Sequence, residues 1–258
     1  MMALVDYGNS SSSESDETEN KAPAPISLKR PALPAAVSLL GSKITKPAED
    51  EEQEDDFDNS ELHGGRIRSF KHERGNWATF VYMPVLACAE QLEDFQIEAI
   101  KRLSPDLELR ANESLHLSLS KTVVLQYHQI DEFHRSLQQA LHSCVGFNST
   151  LNLLRVYTNE ERTRTFLAVQ LDAAYGTKMS ALLRPVDLVM RDYRLAQFYD
   201  NPSFHVSLLW CVGDQQLLLQ DKLQELQQLL EDHETLKLAV RELRCKCGNK
   251  DFIFKLKL

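Results

Sequence analysis

The chain has 258 residues, of which 43% are hydrophobic and 26% are charged, and it carries a formal net charge of −9. This length and composition allow one or two domains with a sizeable apolar core. No apolar run reaches the ~18 residues of a membrane-spanning helix, so the sequence predicts no membrane protein of that kind.

The negative charge is concentrated at the start of the chain. Residues 1–60 contain 13 acidic and 5 basic residues, a net charge of −8, whereas the remainder has a net charge of −1. The same stretch is rich in serine and proline and poor in aromatic residues, which is typical of disorder. The sequence therefore predicts a disordered tail at residues 1–62 and a folded domain at residues 63–258. The near-neutral charge of this domain is compatible with a nucleic-acid substrate.

The five cysteines are an odd number, and the first residues lack the apolar stretch of a signal peptide. Both observations predict reduced thiols in an intracellular protein. Cys245 and Cys247, which are two residues apart, are either half of a metal site or two buried thiols of a strand. No second cysteine pair accompanies them at zinc-ligand spacing, which favours the buried thiols.

Hydrophobic periodicity predicts a series of strands and helices in the folded domain. In chain order, these are a strand at 77–85, a helix at 86–103, a helix at 130–145, strands at 151–158 and 165–171, a helix at 179–193, a helix at 215–230, and strands at 236–247 and 251–258. Two further strands precede the second and the fourth helix. This loose duplication predicts an α+β fold with two lobes, in which antiparallel sheets face a central cleft and helices lie outside.

The two further strands contain the same motif, a histidine and a serine separated by one apolar residue. His116 and Ser118 lie in SLHLSLS, and His205 and Ser207 lie in SFHVSLLW. Because alternate residues of a strand point to the same face, each motif presents an imidazole and a hydroxyl on one face and apolar side chains on the other. Two such strands facing one cleft would bring all four polar groups together.

Two imidazoles and two hydroxyls suffice for cleavage of RNA through its own 2′-hydroxyl. One histidine removes the proton of the 2′-hydroxyl and the other protonates the leaving oxygen, since an unperturbed pKa of ~6.5 allows either role. The serines donate hydrogen bonds to the phosphate as its charge builds up. The alternative is that both histidines are ordinary polar strand residues, which is what a single motif of this kind usually indicates.

Longer blocks of the sequence resemble the U6 spliceosomal small nuclear RNA phosphodiesterase family, within the two-histidine (2H) phosphoesterase superfamily. These blocks are GGRIRSFKHERGNWATFVYMP at 64–84, LHLSLSKTVVL at 115–125, RVYTNEERTRTF at 155–166, FYDNPSFHVSLLWCVGD at 198–214 and RCKCGNKDF at 244–252. The resemblance implies a 2H-phosphoesterase-like fold and a 3′–5′ exoribonuclease that uses no metal and no other cofactor. Its expected partner is the uridine-rich 3′ end of U6 RNA, which it trims to a 2′,3′-cyclic phosphate. A nuclear, monomeric protein is expected.

The resemblance also implies roles for individual residues. His116 is expected to be the base and His205 the acid, while Ser118 and Ser207 bind the phosphate. Contacts with the substrate are expected from Tyr199, which stacks on a base, and from Leu117, Asn201, Pro202, Ser203 and Glu160. Glu160 lies in the hairpin at 157–165, at a position where the family is expected to have a neutral amide.

Two other functions stay open on the sequence alone. The protein could be a phosphodiesterase that only opens 2′,3′-cyclic phosphates. It could also be a non-catalytic RNA-binding splicing factor, with the acidic tail as a docking segment for a partner that the sequence does not identify.

Overall fold

The structure, a computed structural model, describes residues 75–104 and 106–258. The predicted tail at 1–62 lies outside the described residues, as do residues 63–74 of the predicted folded domain. Within the described part of the chain, no helix is both long and apolar enough to cross a membrane.

Strands and helices alternate along the described residues. The strands are β1 (Asn76–Pro84), β2 (Arg110–Ala111), β3 (His116–Ser118), β4 (Val123–Gln126), β5 (Phe147–Thr158), β6 (Arg164–Leu171), β7 (His205–Val212), β8 (Leu236–Val240), β9 (Glu242–Cys247) and β10 (Lys250–Lys255). The α-helices are α1 (Ala89–Leu103), α2 (Ile130–Leu141), α3 (Gly176–Asp192), α4 (Gln216–Asp221) and α5 (Leu223–Glu231).

These strands form one antiparallel sheet in the order β10-β9-β1-β3-β7-β6-β5-β8, with β2 beside β7 and β4 beside β1. The predicted fold class, α+β with antiparallel strands, is confirmed. The two predicted lobes are the two halves of this sheet, and they join where β3 pairs with β7. The two motifs lie on adjacent strands at this junction.

Helix α2 buries the whole apolar stripe from which it was predicted, whereas α1 leaves Ile97 of its predicted stripe exposed. In α2, the residues at spacings of three and four are all buried, and they are Ile130, Phe133, Leu137 and Leu141. In α1, Leu92, Phe95 and Ala99 are fully buried in the same core. Helices α1 and α2 are shorter than predicted, since α1 begins at Ala89 and α2 ends at Leu141, whereas α3 begins three residues earlier than predicted, at Gly176.

The stretch predicted as one strand at 236–247 is two strands that lie far apart in the sheet. β8 pairs with β5, whereas β9 lies between β1 and β10. The buried apolar positions change phase at the crossing, from even numbers up to Val240 to odd numbers from Leu243. The guanidinium of Arg241 stabilises the crossing by donating to the carbonyls of Phe147 and Val240, at 3.0 and 3.2 Å.

The stretch predicted as one helix at 215–230 is divided into α4 and α5. Lys222, with φ −88° and ψ −3°, closes the first helix and begins the second. Helix α4 buries Leu219 and leaves Leu217 exposed, while α5 buries Leu226 and Leu229. Both helices pack against β5.

A buried glutamine of α1 ties the segment before β3 to β7. Gln96 is only 3% exposed. Its amide donates to the carbonyls of Asn112 and Leu208, at 3.1 and 2.6 Å. Asn112 itself donates from its backbone to Leu208 and from its side chain to the carbonyl of Ser207, at 2.8 and 2.9 Å. Helix α1 thereby contributes to the alignment of the two strands that carry the motifs.

We predict that Gln96→Leu lowers the free energy of unfolding by ~1–3 kcal/mol, because it removes a buried hydrogen bond to the carbonyl of Leu208 and a partly buried one to that of Asn112. Urea denaturation measures the change. Gln91→Leu, on the same helix, is the control, since its amide donates only one long bond of 3.5 Å at the surface. The control is expected to stay within about 0.5 kcal/mol of the parent, and an equally small effect of Gln96→Leu would contradict the structural role.

Candidate active site on strands β3 and β7

The pairing of β3 with β7 brings the two motifs onto one surface. The strands are antiparallel with Leu117 opposite Val206, and both of these side chains are fully buried. Extending this register by one residue in each direction sets each histidine opposite the serine of the other motif. The opposite pairs are His116 with Ser207 and Ser118 with His205. All four point away from the core, because neighbours along a strand alternate between its faces.

This arrangement fixes the approximate distances between the four groups. Residues directly opposite in an antiparallel pair have Cβ atoms about 4.5–5.5 Å apart, and diagonal neighbours are about 7–8 Å apart. His116 and His205 are diagonal neighbours. A phosphate group bound between the two imidazoles would form a hydrogen bond of ~3 Å with each of them.

Both imidazoles are oriented by the same local hydrogen bond. Nδ1 of His116 lies 2.8 Å from the carbonyl oxygen of Ser114, and Nδ1 of His205 lies 2.6 Å from that of Ser203. A carbonyl oxygen only accepts, so Nδ1 carries the proton in both rings. In the neutral form, Nε2 of each ring is therefore left as a proton acceptor. Each serine lies two residues before its histidine, so the repeat extends to SLHLS and SFHVS.

A hydrogen-bonded group of three side chains surrounds His205. The ring of Tyr157 stacks on its imidazole at 4.0 Å between ring centres, with 18° between the planes. The Tyr157 hydroxyl lies 2.6 Å from the hydroxyl of Ser203, and the Gln170 amide donates to both oxygens at 2.9 Å. Gln170 is the β6 partner of His205 in the sheet. These contacts limit the rotation of the His205 ring.

Burial lowers the pKa of His205 below its ordinary value, and the positive charges of His116 and Arg155 lower it further. The carbonyl of Ser203 opposes this shift, because it accepts a hydrogen bond that stabilises the imidazolium. Arg155 precedes Tyr157 by two residues on β5, so the two side chains share a face of that strand. The positive charges near His205 therefore favour the binding of an anion beside it.

His116 is packed against aromatic residues of β1. The ring of Tyr82 meets its imidazole edge-on at 5.4 Å, and the ring of Phe80 lies at 5.8 Å. The hydroxyl of Tyr82 donates to the carboxylate of Asp251 at 3.2 Å, which anchors that ring to β10. The two histidines thus have different surroundings, an aromatic wall for His116 and a hydrogen-bonded group for His205.

The other predicted substrate contacts lie mostly in the loop before β7. Tyr199 is 51% exposed, its ring meets Phe198 at 5.0 Å, and Nζ of Lys121 lies 4.4 Å from its centre. Asn201 is exposed and Pro202 is partly buried. Tyr199 therefore lies at the surface, with a lysine beside it, and its contact with Phe198 leaves half of the side chain accessible.

Two predicted contacts differ from the rest in their placement. Leu117 is fully buried and faces the core, opposite the polar face. The prediction that Leu117 contacts substrate is corrected for its side chain, because alternation along β3 turns it away from its two polar neighbours. Glu160 is exposed in the turn between β5 and β6.

Three further side chains lie in this region without a sequence motif that predicts them: Tyr157, Gln170 and Lys121. No periodic pattern marks them, since each is a single polar residue at the end of a strand or beside one. Tyr157 and Lys121 do lie within the family-like blocks at 155–166 and 115–125. The serine two residues before each histidine was the one repeated signal that could have extended the motif.

Among the described residues, no group of three or more histidine, cysteine or acidic side chains is arranged to hold a metal ion. The thiols of Cys245 and Cys247 are both buried, with their sulfur atoms 3.7 Å apart. They belong to the core beneath β9, as favoured for this pair from the sequence.

Comparisons with known proteins give related sequences over nearly the whole chain. A family model called HVSL, described as an uncharacterised conserved protein, matches residues 31–255. The chain is 66% identical to U6 snRNA phosphodiesterase 1 of Drosophila melanogaster over 260 residues, which cover 99% of this chain and 100% of the relative. It is 40% identical to U6 snRNA phosphodiesterase 1 of Xenopus laevis over 260 residues, with the same coverage of 99% and 100%.

Among solved structures, the chain is similar to Usb1 of Kluyveromyces marxianus. The TM-score is 0.47 at 16% sequence identity, and the match covers 70% of this chain and 98% of that one.

We predict that the imidazole of His205 titrates below the ordinary ~6.5 and that Arg155→Gln raises its pKa. The substitution removes a positive charge that disfavours the imidazolium, while the larger effect of burial stays. NMR titration of the histidine ring protons measures both values. Arg184→Gln, an exposed arginine of α3, is the control and is expected to leave the pKa unchanged. A His205 pKa at or above 6.5, or no response to Arg155→Gln, would contradict the electrostatic description.

Proposed function

Since the chain belongs both to the HVSL family and to the family of the U6 snRNA phosphodiesterase 1 proteins, we propose that it is a 3′–5′ RNA exonuclease. Its substrate would be the uridine-rich 3′ end of U6 small nuclear RNA. The observation that carries this proposal is the polar face of β3 and β7, where each histidine lies opposite the serine of the other motif. One chain supplies all four groups, which supports action as a monomer. A nuclear location is proposed because the proposed substrate is a small nuclear RNA.

In the proposed reaction, a phosphodiester binds over the four groups. One imidazole takes the proton of the 2′-hydroxyl of the penultimate nucleotide, and the 2′-oxygen attacks the phosphorus. The bond from phosphorus to the 5′-oxygen of the terminal nucleoside breaks, and the other imidazole protonates that oxygen. The shortened RNA then ends in a 2′,3′-cyclic phosphate, and a nucleoside leaves. Two imidazoles supply both proton transfers, so this reaction needs no metal ion.

The serines have the complementary task in this mechanism. Charge builds up on the non-bridging oxygens of the phosphate as the 2′-oxygen attacks. The hydroxyls of Ser118 and Ser207 lie diagonally across the same face and are suited to donate hydrogen bonds to these oxygens. Because they point in advance toward the position of the charge, little reorganisation is needed in the transition state.

We assign the acid to His205 and the base to His116. The loop that contains Tyr199 and Ser203 leads directly into His205, and the proposed stacking of the terminal base on Tyr199 brings the leaving oxygen to this side. The lowered pKa of His205 belongs to the protein without substrate. A phosphodiester anion between the rings stabilises the imidazolium and raises that pKa, so binding of the substrate itself prepares the acid.

We predict that His116→Ala or His205→Ala lowers the rate of shortening of an RNA with terminal uridines by at least ~10²–10⁴-fold, the contribution of one acid or base. Ser118→Ala and Ser207→Ala are expected to cost less, on the order of 10–10³-fold, because each removes one donor to the phosphate. Single-turnover assays resolved by RNA length measure these rates, with EDTA expected to have no effect. Loss of activity in EDTA and recovery with magnesium would contradict the mechanism. Conversion of a cyclic phosphate end without shortening would identify the protein as a cyclic phosphodiesterase.

The assignment of acid and base has its own control. A substrate with sulfur in place of the 5′-bridging oxygen has a leaving group that departs without protonation. His205→Ala is expected to regain most of its activity on this substrate, whereas His116→Ala is not. Rescue of His116→Ala instead would exchange the two roles and leave the remainder of the mechanism intact.

We predict that Tyr199→Ala weakens RNA processing by about 5–150-fold, since stacking of a base on an aromatic ring contributes ~1–3 kcal/mol. Tyr199→Phe retains the ring face and is expected to be nearly harmless. Tyr127→Ala removes another exposed tyrosine and is the control for general effects of the change. If Tyr199→Phe is as damaging as Tyr199→Ala, the hydroxyl matters and the stacking role is wrong.

A further inference from the structure

The ring of Tyr157 reaches His205 across a whole strand of the sheet. Tyr157 lies on β5 and His205 on β7, with β6 between them. In the register of the sheet, Phe166 of β6 is opposite Tyr157, and Gln170 is opposite His205. The residue of β6 that lies between these two on the same face is Ala168. The tyrosine ring therefore crosses β6 above a methyl group.

The small side chain of Ala168 leaves room for this crossing. Ala168 is fully buried, although its neighbours on the same face of β6, Phe166 and Gln170, are both partly exposed. A ring that lies over the methyl group accounts for the difference. A larger side chain at this position would push the ring away from the imidazole.

The contact between the two rings is a parallel stack, with 4.0 Å between the ring centres and 18° between the planes. The hydroxyl of Tyr157 is held between the hydroxyl of Ser203 and the amide of Gln170, at 2.6 and 2.9 Å, which limits sliding of the ring. The face of the tyrosine, and not its edge, therefore covers His205. The two aromatic rings beside His116 are inclined to its imidazole by 69° and 41°, so the parallel stack distinguishes His205 from His116.

A parallel stack of this kind favours one protonation state of the imidazole. The face of an aromatic ring carries the negative part of its quadrupole. A cation within about 6 Å of the ring centre is attracted to that face, and the attraction is greater where water is excluded. The stack therefore favours the imidazolium, which is the form that an acid must have before it gives up its proton.

This attraction opposes the other influences on His205. Burial and the positive charges of His116 on β3 and Arg155 on β5 lower the pKa of His205, while Gln170, its partner on β6, carries no charge. The carbonyl of Ser203 and the ring face of the tyrosine both favour the imidazolium. The stack thus helps to keep a buried histidine able to act as an acid.

We propose that Tyr157 is a positioning residue for the acid of the reaction, whose ring face holds the imidazole of His205 in place and stabilises its protonated form. The proposal rests on the proposed function, in which His205 protonates the leaving oxygen, and it assigns to this step a residue outside the two motifs. Tyr157 itself transfers no proton. The proton passes from Nε2 of His205 to the 5′-oxygen of the leaving nucleoside as the bond from phosphorus to that oxygen breaks.

The first test changes the charge of the ring face in the full-length protein without RNA. Tyr157→Phe retains the face, Tyr157→Leu removes it, and replacement of Tyr157 by pentafluorophenylalanine retains the shape of the phenylalanine ring but withdraws the negative charge from its face. NMR titration of the histidine ring protons measures the pKa of His205. It is expected to stay close to the wild-type value in Tyr157→Phe and to fall in the other two proteins, because the imidazolium has lost its partner.

The second test compares the shortening of two RNAs with terminal uridines, one with the ordinary 5′-oxygen in the leaving group and one with sulfur in its place. Above the pKa of His205, the rate on the ordinary RNA depends on the fraction of His205 that is protonated. Tyr157→Leu and the fluorinated ring are expected to slow this RNA about 2–30-fold, the factor that a cation–π contact contributes. The sulfur leaves without a proton, so the rate on the second RNA is expected to be nearly unchanged. Tyr127→Leu, which removes another exposed tyrosine, is the control and is expected to leave both rates unchanged.

Equal losses on the two RNAs would overturn the proposal, because they would indicate a general structural role of Tyr157. A pKa of His205 that does not fall when the ring face is removed or fluorinated would overturn it as well, and would leave the exonuclease function untouched. Failure of the wild type to shorten the ordinary RNA would instead overturn the proposed function, while the titration would still decide whether the ring favours the imidazolium. The fluorinated ring is compared with Tyr157→Phe, which has the same shape, so a folding defect of Tyr157→Leu cannot obscure the result.

Discussion

The antiparallel pairing of β3 with β7, through Leu117 and Val206, is the constraint on which the candidate site depends. Antiparallel pairing sets each histidine opposite a serine. Parallel pairing in register would have set the two histidines side by side, where two positive charges repel each other. A slip of one residue along either strand would turn an imidazole into the core and a buried aliphatic side chain to the surface. The burial of Leu117 and Val206 therefore fixes the geometry of the polar face.

Residues of four other elements stabilise this strand pairing and the positions of the two imidazole rings. Gln96 of α1 ties the segment before β3 to β7, and Tyr82 of β1 packs against His116. Tyr157 of β5 and Gln170 of β6 enclose His205 with the hydroxyl of Ser203. Groups that must act on one phosphate need a defined position within a fraction of an ångström, and a sheet with hydrogen bonds on both sides of each strand provides it.

The sequence was sufficient for the parts of this structure that local periodicity determines. The face of each motif, the buried stripe of α2 and the α+β class all follow from spacing, because spacing decides which side chains can be buried together. Residue spacing does not determine which strands lie next to each other in the sheet. The divided strand at Val240 and Leu243, and the direct contact of β3 with β7, depend on partners that are distant in the sequence. Tyr157 shows the same limit, since it approaches His205 only through two intervening strand pairings.

The two sides of the polar face have different characters, and the difference gives the proposed reaction a direction. The β1 side offers stacked rings and two cations, Arg110 and Lys246, beside His116, while the β5 side offers a hydrogen-bonded group and an exposed tyrosine near His205. An RNA chain bound across the site would therefore extend its body toward β1 and its last nucleoside toward the loop before β7. If this loop leaves room for only one nucleoside beyond the scissile bond, the protein acts as an exonuclease and not as an endonuclease.

In the proposed reaction, the 2′-hydroxyl of the RNA, and not water, attacks the phosphorus between the two imidazoles. The most direct test is the chemical identity of the new 3′ end, measured by mass spectrometry on an RNA with terminal uridines after a single turnover in EDTA. The expected products are a shortened RNA with a 2′,3′-cyclic phosphate and a free nucleoside. A shortened RNA that ends in a 3′-hydroxyl, with release of a nucleoside 5′-monophosphate, would contradict this reaction.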